Sequence, residues 1–245
     1  MSVRLIKASA LVPSGDQQAA GKDFPFDLGS QGVHEVTEAV HGDWTAAMGF
    51  ALHALRKTRP ASVLWVSQPH FQREHGPVYA QGLYDWLRPA RPALLSVSPS
   101  KASECLWVIE EAIQSGVLSL VVAETGPISF TASRRLSLAS ERHGTPVILL
   151  MPYGTQGSTA AQARWRITAL PSAPNPFDDR APGRARWQAT LERCRTAPHA
   201  TGHVFTLSAD DEPLSLPMAD GLAPYPMAPG AANEHAEYGW FRGTG

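Results

Sequence analysis

The sequence predicts an α/β protein, a mostly parallel sheet with helices on both faces, and three observations predict it. Short, almost wholly apolar runs recur along the chain, as strands buried on both faces require. Stretches with apolar residues at helical spacing separate those runs, the alternation that builds parallel crossovers. Proline or glycine marks most of the boundaries.

Residues 1–31 contain Gly, Pro and Gln with little periodicity and read as a loosely structured leader. Val33–Val36 is a first short strand. Met48, Ala51, Leu52 and Leu55 then fall at i, i+3, i+4 and i+7, one face of a helix. Ser62–Val66 is a compact strand between Pro60 and Pro69, and Ala93–Val97 is another, ended by Pro99. A helix runs from about Ala102 to Gln114, with Cys105, Ile109 and Ala112 on one stripe and Gly116 as its stop. Leu118–Val122 is a strand, Thr131–Arg142 a helix closed by Gly144, and Val147–Met151 a strand. Arg164–Leu170 alternates in polarity like a half-exposed strand, and His203–Leu207 is a last, weaker one. No internal repeat of solenoid period is present. From Ala209 five prolines, the acids and few aliphatics predict an extended tail. The expected organisation is a leader (1–31), one domain (32–208) and an acidic, Pro-rich tail (209–245).

Hydrophobic residues make up 43% and charged residues 18% of the 245, which excludes a disordered chain and allows a sizeable core. No apolar run approaches the ~20 residues of a membrane span, and no apolar signal core opens the chain. Cys105 and Cys194 stand in no metal or disulfide spacing, so a soluble protein of the reducing cytoplasm is expected.

The net charge of −1 conceals a split. From Ala209 onward six acids face one arginine, leaving the tail at −5 and the body at +4. Between Arg134 and Arg195 lie ten arginines, no lysine and four acids. Such an excess suits phosphate recognition through the planar guanidinium fork, and equally suits a solvated surface paired with distant acids.

Family resemblance enters at the centre of the chain. Gly76-Pro-Val-Tyr-Ala80 and Ser115-Gly-Val-Leu-Ser-Leu-Val-Val-Ala-Glu124 resemble the core of RecA recombinases, where an acid ends the corresponding strand. The run from Val33 to about Leu207 is similar to the ImuA family, RecA- and SulA-related proteins of bacterial SOS mutagenesis. Gly32-Val-His-Glu-Val36, Val63-Leu-Trp-Val66, Thr131-Ala-Ser-Arg-Arg-Leu-Ser-Leu138 and Ala163-Arg-Trp-Arg166 carry that similarity, in order. The resemblance implies a RecA-like core and an accessory role in translesion synthesis. The implied partners are an ImuB-like Y-family protein and an alternative replicative-type polymerase, with RecA and single-stranded DNA as further candidates. By similarity, the two DNA-holding loops of the recombinase correspond to Gly126–Phe130 and Tyr153–Thr159.

A RecA-type ATPase needs a phosphate loop, GxxxxGK[ST], whose backbone amides, lysine and hydroxyl hold phosphate and magnesium. After the first strand this chain reads Gly42-Asp-Trp-Thr-Ala-Ala-Met-Gly49. Gly42 keeps its place, but Ala47 replaces the second glycine, Met48 the lysine and Gly49 the hydroxyl. The end of the next strand, Val66-Ser67-Gln68-Pro69, has no catalytic carboxylate, although Glu74 follows in what reads as a loop. Glu124 keeps the strand-end acid, either a relic of magnesium binding or a carboxylate solvated or paired with arginine. Clamp and base are needed together, so no catalysis and no cofactor is expected. His70, Glu74 and His75 do not match a metal motif, Ser158 has no nucleophile elbow, and Glu110 and Glu111 point to different helix faces.

Candidate binding residues remain. Arg134 and Arg135 oppose the dipole at the start of their helix, so they contact phosphate or an acidic partner, or pair with Glu124 or Glu141. Strand alternation sends Arg164 and Arg166 to one face, towards a nucleic-acid backbone, and Trp165 to the other as core. Tyr153 is the candidate base-stacking residue. On the tail, Tyr238, Trp240 and Phe241 suit partner docking or pack back on the body. Glu212-Pro-Leu-Ser-Leu-Pro217 faintly resembles a sliding-clamp peptide but lacks its glutamine and terminal aromatic. The leading expectation is a non-catalytic scaffold; the alternatives are a divergent DNA-dependent ATPase of RecA type and a SulA-like protein inhibitor.

Overall fold

Six strands run parallel: β1 (Val33–Glu38), β2 (Ser62–Ser67), β3 (Ala93–Val97), β4 (Leu120–Glu124), β5 (Val147–Met151) and β6 (Ala163–Leu170). Two more, β7 (Arg186–Cys194) and β8 (Val204–Ser208), follow β6 as an antiparallel meander. Together they make one sheet in the order β3-β2-β4-β5-β1-β6-β7-β8. The computed structural model describes residues 26–87, 91–178 and 180–209. The 209–245 tail beyond Ala209, with Tyr238, Trp240 and Phe241, lies outside the described residues, as does the leader up to residue 25.

Residues of β1, β4 and β5 are buried along their whole length, because helices cover both faces. On one face lie α1 (Trp44–Thr58), α2 (Pro69–His75) and α3 (Ala80–Leu87). Phe50, Ala51, Ala54 and Leu55 of α1 meet Val36, Ile148, Leu150 and Trp165 there. On the other face α4 (Ala102–Ser115) and α5 (Phe130–His143) bring Cys105, Ile109, Ile113 and Leu136 onto Leu64, Val66, Val121 and Leu149. Gly116 and Gly144 close α4 and α5 in left-handed conformation, at the positions their sequence stops predict. Ser129 caps α5, its Oγ accepting from Ala132 N–H at 3.2 Å. Among the described residues no helix is long and apolar enough to cross a membrane.

Several boundaries depart from the sequence-based expectation. Residues 26–31 are not loose: Phe26 and Leu28 are buried, and Phe26 lies 6.0 Å from Trp165, ring to ring. β4 starts two residues later than expected and takes in Glu124, which pairs in register with Ser67. Helices α2 and α3 fall in a stretch whose short, proline-interrupted pattern predicts no element, and α2 places Glu74 on a helix instead of a loop. β7 is a further unpredicted strand, with Trp187, Ala189 and Leu191 facing inward between polar residues.

His34 is fully buried on β1, between Gln31 O, to which its Nε2 lies at 3.1 Å, and Trp165 Nε1, which donates to Nδ1 at 3.4 Å. Both contacts suit the neutral ring, and burial lowers its pKa to about 4. The unfolded chain takes up this proton near pH 6.5 and the folded chain only near 4, so stability falls as pH drops through that window. The His34 contribution between pH 7 and pH 5 is a loss of about 2 kcal/mol. Urea denaturation at the two pH values is expected to show it, and His34→Gln to flatten that part of the profile.

Candidate functional site

In open α/β sheets ligands gather at the carboxyl ends of the strands, and a phosphate would meet the amides between β1 and α1. Of these, the Ala39, Val40, Gly42 and Asp43 amides are engaged internally. Gly42 N–H donates to Glu38 Oε2 at 3.2 Å, while Glu38 Oε1 accepts from Tyr153 N–H at 2.9 Å. Glu38 is 4% exposed, so its carboxylate is a fixed acceptor at the loop. Asp43 adds a second: Oδ1 accepts from Ala169 N–H at 3.1 Å and Oδ2 from Val40 N–H at 3.4 Å.

Side chains of α1 extend the same pattern. Trp44 is buried and stacks on His75 (4.6 Å) and Phe71 (5.2 Å) of α2. Ala47 is fully buried and Met48 packs on the core. A Cβ on Gly49 would meet the Trp187 ring at 3.3 Å, so the glycine lets α1 sit close against β7. The loop thus presents two carboxylates and an indole.

Glu124 is neither solvated nor paired with arginine, the two bland expectations for it. Its carboxylate accepts from Trp65 Nε1 at 3.0 Å and from Ser67 Oγ at 2.5 Å. Burial raises its pKa, while these bonds and the nearby His75 oppose the rise. Its place is a polar clasp between the ends of β2 and β4. His70 and His75 pack in the aromatic group around Phe71. No cluster of three or more His, Cys, Asp or Glu with metal-binding geometry occurs among the described residues.

The arginines divide. Arg164 does not reach a nucleic-acid surface: its side chain is 10% exposed and pairs with Glu35 of β1 at 2.7 Å. Arg164 also donates to Gly157 O at 2.8 Å, and Thr159 Oγ1 donates to the other Glu35 oxygen at 2.6 Å. Ser133 of α5 lies 2.8 Å from Thr159 Oγ1 and accepts from Ala160 N–H, joining α5 to this network. The pair is buried because Glu35 and Arg164 are direct neighbours in the β1–β6 register. Arg166 pairs with Glu192, and Arg135 pairs with Glu110, neither Glu124 nor Glu141. Glu141 is taken by Arg195. Arg134 is exposed and has no ion pair among the described residues. Tyr153 is 56% exposed, its backbone tethered to Glu38. Trp165 is fully buried against Phe50 and Phe205.

The sequence-predicted residues therefore do not form one cluster. The residues that organise this end of the sheet are Glu35 and Glu38, which sequence reasoning missed. The signal for Glu35 was there, since an acid in a strand expected to be buried requires a partner; Glu38 fell outside the expected strand Val33–Val36.

Protein ImuA from two strains of Caulobacter vibrioides is 34% identical over 198 residues, 75% of this chain and 76% of that protein. Among solved structures, SulA from Pseudomonas aeruginosa aligns with a TM-score of 0.35 and 20% identity, over 49% of this chain and 97% of that one. No family model matches the sequence.

Removing one partner of a buried ion pair strands the other charge. Arg164→Ala is expected to cost about 3–5 kcal/mol, and the joint replacement Glu35→Leu with Arg164→Leu markedly less than Arg164→Ala. Denaturant midpoints of the three proteins check this.

Proposed function

Since this chain belongs to the ImuA family, we propose that it serves as a non-catalytic accessory protein in SOS-induced translesion DNA synthesis, acting in the cytoplasm through protein partners. The partners of this reading are an ImuB-like Y-family protein and an alternative replicative-type polymerase, with a RecA-like recombinase as a further candidate. The reading includes a RecA-like origin for the core, supported by the parallel sheet, the strand-loop-helix at Gly42–Gly49 and the acid ending β4.

The observation that carries the non-catalytic part is the Glu38 carboxylate bonded to the Gly42 amide. A nucleotide phosphate there would meet a fixed negative charge where a cradle offers amides and a lysine. Met48 is turned into packing, and a hydroxyl-bearing residue at position 49 would crowd Trp187. Glu124, the remaining acid, is consumed by Trp65 and Ser67. Hydrolysis requires clamp, metal and base together, and these residues supply none of them freely.

Single-stranded DNA is the secondary ligand of the reading. With Arg164 buried and Arg135 and Arg166 paired, its support narrows to Arg134 and the exposed ring of Tyr153. Stacking on one base is worth roughly 1–3 kcal/mol, so Tyr153→Ala is expected to weaken any single-strand binding by about 5- to 150-fold.

Titration of the protein with labelled ATP and magnesium, with and without single-stranded DNA, tests the central claim. No saturable binding is expected in either arm. Micromolar binding or turnover would overturn the non-catalytic reading. Gly49→Thr is expected to destabilise the fold by about 1–3 kcal/mol through overpacking on Trp187. Its thermal midpoint is the check, and an unchanged midpoint would remove the packing explanation for Gly49.

A further inference from the structure

A groove of about 330 Å³ opens between α5 and the end of β7. One side of it is a stripe of α5: Phe130, Arg134, Ser137 and Leu138 fall at i, i+4, i+7 and i+8 and share a face of that helix. The rest of the lining is Thr159, Ala160, Arg193 and Arg195. Phe130 is 48% and Leu138 56% exposed, an apolar surface that the core leaves uncovered. The neutral polar side chains of the lining are already engaged. Ser137 Oγ donates to Ala160 O at 2.9 Å, and Thr159 Oγ1 donates to the buried Glu35 carboxylate at 2.6 Å. The side chains therefore offer a ligand two kinds of contact here, apolar surface and guanidinium.

The guanidiniums outnumber the acids around them. Arg195 is held by Glu141, and Glu192, beside Arg193 in the strand, is held by Arg166. Glu110 of the neighbouring helix is taken by Arg135. Arg134 and Arg193 are exposed and have no ion pair among the described residues. Arg134 also stands near the positive end of the α5 dipole, where packing gives no reason for a cation. Two unbalanced positive charges thus flank an apolar surface.

Carboxylates suit this arrangement better than a nucleic-acid backbone does. A guanidinium fork pairs bidentately with a carboxylate, and a groove of this volume holds a few side chains. A single strand needs cations that track successive phosphates and rings that take successive bases. The lining holds one ring, Phe130, beside aliphatic Leu138 and Ala160. We propose that the groove docks a segment of a partner protein in which an apolar side chain stands beside carboxylates. The apolar group seats on Phe130 and Leu138, and the acids pair with Arg134 and Arg193. A contact of this size belongs to the weak, transient class, with charge deciding which segment is accepted. The functional reading above assigns no surface to a partner, and the groove carries this inference whether or not that reading holds.

Fluorescence anisotropy of the full chain with three labelled peptides tests it. The peptides share a leucine–phenylalanine centre and carry aspartate, asparagine or lysine on both sides of it. The aspartate peptide is expected to bind with a dissociation constant of roughly 10–100 μM, and the asparagine peptide about tenfold more weakly. The lysine peptide is expected not to bind, and salt to weaken the aspartate complex. Arg134→Glu with Arg193→Glu is expected to abolish aspartate-peptide binding. Arg134→Gln with Arg193→Gln should reduce it to the level of the asparagine peptide, both pairs leaving the thermal midpoint unchanged. Leu138→Ser is expected to weaken it about threefold or more through the lost apolar contact. No aspartate-peptide binding up to about 1 mM, equal binding of the aspartate and asparagine peptides, or binding indifferent to both arginine pairs would each overturn the proposal. Oligothymidylate is the fourth ligand. If it binds more tightly than the aspartate peptide, displaces it and is lost in the same arginine variants, the groove belongs to nucleic acid and the proposal falls. The ATP titration reads none of these outcomes, so the two ideas fail separately.

Discussion

The buried pair of Glu35 and Arg164 is the constraint on which this end of the molecule depends. A carboxylate and a guanidinium removed from water are tolerated only when every lone pair and proton finds a partner. Here the two ions meet across β1 and β6, Gly157 O and Thr159 Oγ1 complete their bonding, and Ser133 of α5 joins through Thr159. Satisfying the pair therefore fixes the path from β5 to β6 and seats α5 on the sheet. Ser137 Oγ extends the same seam by donating to Ala160 O at 2.9 Å. The groove between α5 and β7 follows from that seating, since Thr159 and Ala160 line it.

A second acid, Glu38, does comparable work on the opposite face of β1. It ties the Gly42 loop to Tyr153 and satisfies the Gly42 amide. Together with the Trp44 stack and the close approach of Gly49 to Trp187, this makes the start of α1 part of the packed structure. Glu124 joins the ends of β2 and β4 in the same way, through Trp65 and Ser67.

What remains available for recognition is peripheral. Phe177, Tyr153, Phe130 and Leu138 are exposed large hydrophobics, and Arg134 and Arg193 are exposed cations. They sit on loops, a helix face and a strand end held by the rigid sheet, the usual division between scaffold and binding surface.

By itself the sequence determined the class of fold and most of its elements, because burial periodicity is a local property of the chain. Ala93–Val97 and Val147–Met151 match their strands residue for residue, and the glycine stops of α4 and α5 stand where they were expected. It missed β7, whose inward Trp187, Ala189 and Leu191 are set among arginines, and α2 and α3, which are too short for a clear period. It did not reveal that Glu38 and the rings of Trp44 and Trp187 hold the Gly42–Gly49 segment. Only the tertiary structure decided which charges are free. Arg164 and Arg166 are two residues apart and share a face, yet one is sealed inside and the other reaches the half-exposed Glu192. Glu35 and Arg164 are separated by 129 residues and become neighbours only through strand order and register. Charge pairing is set by that long-range register, which no local pattern encodes.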